Sequence, residues 1–128
     1  MSDAEQEVLK VLWDVGPLGV KDVSTRLTES GQEWTRSTVV TLLRRLENKG
    51  YVESDRSGYA FVYRPSVSRE DVMHARIKEI ASELADGEVV PLMLAFAERQ
   101  RFSEAEVARI QQMIDELKKR VPSKRRKS

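Results

Sequence analysis

The residues best suited to chemistry gather in one segment, Thr35-Arg-Ser-Thr-Val-Val-Thr-Leu-Leu-Arg-Arg-Leu-Glu-Asn-Lys-Gly50. Val39, Leu42, Leu43 and Leu46 recur at the i, i+3, i+4, i+7 spacing of a helix with one apolar face. The other side carries Arg36, Ser37, Thr38, Thr41, Arg44, Arg45 and Lys49, with Thr35 as the capping residue. Residues 36–49 hold four positive charges and one negative, Glu47, whereas the first 64 residues as a whole hold nine positive and ten negative. Positive charge is therefore concentrated on this one element. Short hydroxyls at the start of a helix can reach base edges, and arginines can grip phosphate oxygens. That combination suits the major groove of double-stranded DNA. A basic face by itself is more often plain solvated surface, so the surrounding elements carry the decision.

Other chemistries have little to work with. The 128 residues contain no cysteine and one histidine, His74. Thiolate nucleophiles, disulfides and cysteine-built metal sites are excluded. The acidic pairs Glu104/Glu106 and Asp115/Glu116 read as solvated helix surface. No catalytic residue, metal or cofactor is expected, so the chain does not read as an enzyme. Lys+Arg number 22 and Asp+Glu 21, a net charge of +1, so any nucleic-acid face must come from local clustering. No apolar run approaches the roughly 20 residues needed to span a bilayer, and the polar, acidic N-terminus is unlike a secretory signal. A cytoplasmic protein without membrane insertion is expected.

Several elements must position that basic helix. Ser2 and Glu5 form a capping box that opens a first helix with Val8, Leu9, Leu12 and Val15 inward, closed by Gly16-Pro17. Leu18-Gly19-Val20 reads as an extended link. A second helix runs from about Lys21 to Glu29 with Val20, Val23 and Leu27 inward, and Ser30-Gly31 ends it. Trp34 reads as a core anchor. After the basic helix, Tyr51–Ser54 and Tyr59–Tyr63 read as strands around the turn Asp55-Arg56-Ser57-Gly58, and Pro65 closes the unit. Three helices followed by a hairpin is the layout of a winged helix-turn-helix domain, expected over residues 1–66. Arg56, at the hairpin tip, would touch DNA backbone beside the groove.

Residues 67–119 read as three further helices. Ser68/Asp71 and Ser103/Glu106 cap two of them, and Pro91 sits in the first turn of the third. Their apolar positions include Val72, Met73, Ile77, Ile80 and Leu84, then Val90, Met93, Leu94 and Phe96, then Val107, Ile110, Ile114 and Leu117. About 50 residues make too small a core for so much apolar surface. A helical homodimer interface is expected, and a two-fold dimer implies a palindromic operator. Residues 120–128, with Pro122 and five basic residues, read as a disordered tail. The fold class is thus mainly α with a small β-hairpin. A winged helix that docks protein rather than specific DNA is the alternative that the residues leave open.

Longer motifs sharpen this. Ala4–Trp13 resembles the opening helix of the penicillinase-repressor (BlaI/MecI/CopY) family. Trp34–Val52 is similar to its long "WSxxTVxTLLxRLxxKGxV" signature. Phe61, Tyr63, Pro65 and Val67 match its wing exit, and Pro91–Phe96 with Phe102–Val107 resembles its dimerisation segment. The resemblance spans roughly Asp3 to Lys119. It implies a dimeric repressor on a promoter palindrome. It also implies release by a sensor-linked protease that cuts an Asn-Phe bond in the dimerisation domain. That bond aligns with Ala95-Phe96, so Ala95 stands where the family has Asn. The Cys-x-Cys pairs of the copper-responsive relatives are absent. The inducing signal and target genes stay open.

Overall fold

The computed structural model describes residues 1–122; the tail positions 123–128 lie outside the described residues. Helix α1 (Asp3–Val15) starts as its sequence dictates. Ser2 Oγ accepts the Glu5 N–H, and the Glu5 carboxylate accepts the Ser2 N–H, at 3.1 and 2.7 Å. After β1 (Leu18–Gly19) come α2 (Val20–Glu29), α3 (Arg36–Asn48), β2 (Val52–Asp55), β3 (Val62–Pro65), α4 (Arg69–Leu84), α5 (Val89–Arg99) and α6 (Glu104–Arg120). The chain is mainly α with one small sheet, a winged helix-turn-helix arrangement. It packs as two compact units, Met1–Ile80 and the part from Ala81 on.

The first unit has one core. Val8, Leu9 and Leu12 of α1 meet Val23 and Leu27 of α2, Val39, Leu42, Leu43 and Leu46 of α3, Val52 of β2 and Tyr63 of β3. Each large side chain buried this way contributes about 1.5–3 kcal/mol. Trp34 is half-buried against this cluster. Val15, expected inward, is 41% exposed, because it lies in the last turn of α1, just before Gly16 redirects the chain.

Two further expectations need correction. Leu18-Gly19 is a strand, not a link: it pairs antiparallel with β3, Leu18 opposite Tyr63 and Gly19 opposite Val62, giving the sheet order β1-β3-β2. A two-residue strand carries no readable period, so only the pairing reveals it. Second, the hairpin is longer-looped than its turn chemistry suggests. Val52 pairs with Pro65 and Asp55 with Val62, leaving a six-residue loop over 56–61. Asp55 takes the Ser57 N–H and hydroxyl at 2.9 and 2.6 Å, a local turn that pulls the chain out of the ladder. Burying Tyr63 then sets the register, with Val52 on the same inner face. Pro65 ends β3 rather than lying beyond it.

The entry to α4 is anchored on α1. Trp13 Nε1 donates to the Val67 carbonyl at 2.9 Å, and Arg69 donates to Asp14 at 2.6 Å while lying 5.4 Å from the Trp13 ring centroid. Ser68 and Asp71 cap each other's free N–H groups as their spacing suggests.

In the second unit, Gly87 at φ +84° donates its N–H back to the Ala81 carbonyl and stops α4. Ser103 and Glu106 form the capping box of α6. Phe96 and Phe102 meet edge to face at 6.5 Å. Among the described residues from Ala81 on, Ala81 alone is buried.

Candidate nucleic-acid interface

Helix α3 is held by its inner face and by both its ends. Thr35 sits in extended backbone, and its Oγ1 accepts the Thr38 N–H at 3.1 Å, satisfying one of the free donors of the first turn. The Thr35 and Thr38 hydroxyls also lie 3.1 Å apart. Thr41 donates its hydroxyl to the Ser37 carbonyl. Each of these oxygens keeps unused hydrogen-bonding capacity. With Val39, Leu42, Leu43 and Leu46 buried, the outward face must carry Arg36, Ser37, Thr38, Thr41, Arg44 and Arg45, and all six are exposed. Ser37, Thr41, Arg44 and Arg45 follow i, i+4, i+7, i+8 and share one stripe. Ser37, Thr38, Thr41 and Arg45 line one shallow depression with the edge of Leu42. Among the described residues, no ion pair engages Arg36, Arg44 or Arg45.

Two cations of the expected set are occupied elsewhere. Lys49, the C-cap of α3, donates to both carboxylate oxygens of Glu5 at 2.9 and 3.1 Å. The Glu5 side chain is 1% exposed, and a buried carboxylate must be paired or hydrogen-bonded. The Ser2 N–H, followed by Lys49, holds the Glu5 carboxyl below its ordinary range against the opposing effect of burial. Lys49 is thus a structural cation first.

Arg56 is likewise not a free tip residue. It opens the 56–61 loop, donating from Nε to Ser54 Oγ at 3.1 Å and from Nη2 to Glu47 at 3.3 Å, with its guanidinium 4.6 Å from the Phe61 ring centroid. The partners Glu5 and Glu47 escape a charge-based reading of the sequence. Glu47 does stand out as the single acid among residues 36–49. Tyr59, fully exposed in the same loop, is a wing residue that counting cations passes over.

The apolar positions expected at an interface are open to solvent. Ile77, Ile80, Leu84, Val90, Met93, Leu94, Phe96, Val107, Ile110, Ile114 and Leu117 are each between 40 and 78% exposed, and Met113 on α6 joins them. Ala95-Phe96 lies inside α5, in hydrogen-bonded helix. Among the described residues, no group of three acidic or histidine side chains could hold a metal, and no helix is long and apolar enough to cross a membrane.

This geometry agrees with what the chain resembles. The family model "Penicillinase repressor" matches residues 1–116. The penicillinase repressor of Bacillus licheniformis is 29% identical over 120 residues, 94% of this chain and 93% of that protein. The methicillin resistance regulatory protein MecI of Mammaliicoccus sciuri is 23% identical over 115 residues, 90% of this chain and 93% of that one. Among solved structures, the DNA binding domain of the repressor BlaI aligns at 35% identity with a TM-score of 0.50, covering 56% of this chain and 85% of that domain. With the family model matching residues 1–116 and the winged-helix fold in agreement, the chain belongs to the penicillinase repressor family.

Proposed function

We propose that this protein is a homodimeric transcriptional repressor that binds a palindromic double-stranded DNA operator. One observation carries the reading: Arg36, Arg44 and Arg45 stand exposed and free of ion pairs among the described residues, beside the Ser37, Thr38 and Thr41 hydroxyls, on a helix whose opposite face is core. Thr35 completes the start of that helix. Residues 1–66 form the DNA-binding part, with α3 in the major groove, Ser37, Thr38 and Thr41 toward base edges, and the arginines toward phosphates. The DNA-binding domain named in the BlaI structure, 35% identical here, supports this.

Residues 67–119 form the dimerisation part. The exposed apolar side chains of α4, α5 and α6 would close on a second copy, since faces this apolar are stable only when covered. The basic residues of 120–128 add sequence-independent affinity by releasing counterions. A sensor-linked protease acting at Ala95-Phe96 would first need α5 to open locally, and Ala95 in place of the family's Asn weighs against that route.

The deciding experiment is selection of bound fragments from the source organism's sheared genome at about 0.15 M salt, where non-specific binding is weakened. A few intergenic fragments sharing a two-fold symmetric site are expected. Random fragments, or none, would overturn the reading in favour of a protein-docking winged helix.

A further inference from the structure

Glu47 is the one acidic residue between Arg36 and Lys49. Two effects disfavour it there. A carboxylate in the last turn of a helix faces the negative end of the macrodipole. Negative charge beside a phosphate-binding face also repels the ligand. Its surroundings offset both. Ser54 Oγ of β2 donates to one carboxylate oxygen of Glu47 at 2.5 Å, and Arg56 Nη2 donates to the other at 3.3 Å. Ser54 Oγ in turn accepts from Arg56 Nε at 3.1 Å, and Phe61, at the far end of the loop, lies under the guanidinium. The first and last residues of the 56–61 loop are therefore fastened together, and Arg56 ties them to the last turn of α3. Asp55, whose carboxyl is held below its ordinary range by the Ser57 hydroxyl and N–H, stiffens the turn between them.

We propose that Glu47 is a positioning residue that fastens the wing to α3 through Ser54 and Arg56, and that Arg56 serves this clasp rather than a phosphate. The inference rests on the DNA-binding reading above. Moving Arg56 to a phosphate would exchange its ion pair to Glu47 for another ion pair and forfeit the Ser54 hydrogen bond and the ring contact as well. Keeping it in place lets helix and wing meet the duplex as one rigid piece, so the binding step orders less chain.

The test uses the full-length protein, a short random-sequence DNA duplex, and binding measured over a series of salt concentrations. Arg44→Ala and Arg45→Ala report on the DNA reading itself: a phosphate contact lowers the salt slope by about one. Arg56→Ala and Arg56→Lys are expected to leave the slope at its wild-type value and to weaken binding alike, about two- to fivefold. Lysine keeps the charge, but its single Nζ ammonium lacks the planar fork that donates to both Ser54 and Glu47 while stacked on the ring. Glu47→Ala is expected to weaken binding by a similar factor although it removes a negative charge, and Glu47→Ala with Arg56→Ala to be no weaker than either alone, because one clasp is lost once. Wild-type binding by Arg56→Lys, with a slope lowered by about one in Arg56→Ala, would overturn the proposal, as would tighter binding by Glu47→Ala. If neither Arg44→Ala nor Arg45→Ala alters binding, the DNA reading fails and the clasp is judged alone by amide exchange. Faster exchange over residues 55–61 in Arg56→Lys and Glu47→Ala supports it, and unchanged exchange sinks it.

Discussion

The Lys49 ammonium grips both carboxylate oxygens of Glu5 across 44 residues of sequence. One residue closes the capping box of α1; the other is the C-cap of α3. The pair ties the first turn of α1 to the end of the helix that would read DNA.

Replacing Lys49 by Met keeps the aliphatic stem and removes the charge. The Glu5 carboxylate then stays buried with only Ser2 as partner. A loss of about 1–2 kcal/mol is expected, less than a fully buried pair would give because Lys49 is half exposed. Urea denaturation measures it. An unchanged midpoint together with a DNA-binding salt slope lowered by about one would return Lys49 to the phosphate-contacting set.

Glu5 also makes stability depend on pH. The Ser2 N–H, above all, and Lys49 lower its folded pKa from the ordinary 4.5. The folded state therefore holds the proton less tightly than the unfolded chain does. The stabilisation is complete above the unfolded value and is lost as pH falls through the folded one. In denaturation midpoints, the gap between wild type and Glu5→Gln should be widest near neutral pH and should narrow progressively below 4.5. A gap that is constant with pH would mean that Glu5 acts only as a neutral hydrogen-bond acceptor.

Arg44 and Arg45 are exposed on α3 and outside the core, so alanine at either should leave the melting temperature within about a degree or two. Against the operator recovered from genomic selection, a base-reading arginine should cost about 1–3 kcal/mol and relax preference at one position. A phosphate-binding arginine should weaken all sequences together. Full operator affinity in both variants would mean that α3 is not the reading element.

Phe96 lies on α5 at 63% exposure, next to Leu94 at 60%. Aspartate at either position should leave the first unit folded, prevent a second copy from closing over α5, and yield monomers in analytical ultracentrifugation. Operator binding should fall by roughly 10²-fold or more as bivalency is lost. A variant that stays dimeric with full affinity would move the interface away from α5.

What the sequence by itself determined is what neighbouring residues decide among themselves. The capping pairs Ser2/Glu5, Ser68/Asp71 and Ser103/Glu106 open three helices. The 3.6-residue recurrence of Val39, Leu42, Leu43 and Leu46 shows which side of α3 is core, and therefore which side is left for a ligand. Gly31 and Gly50 end helices at positive φ. These signals act over three to seven residues, so one strand of text contains both partners. Tertiary structure alone decided what joins distant residues. Leu18-Gly19 became a strand because β3 had a free edge beside it. The register of β2 on β3 was set because Tyr63 and Val52 had to face one core. Lys49 and Arg56 look like two more phosphate-binding cations in a charge count. Each is paired in the folded protein because the fold brings a buried Glu5 and the lone acid of α3, Glu47, within hydrogen-bond reach. A charge is free or paired according to its neighbours in space, and spacing along the chain does not carry that information.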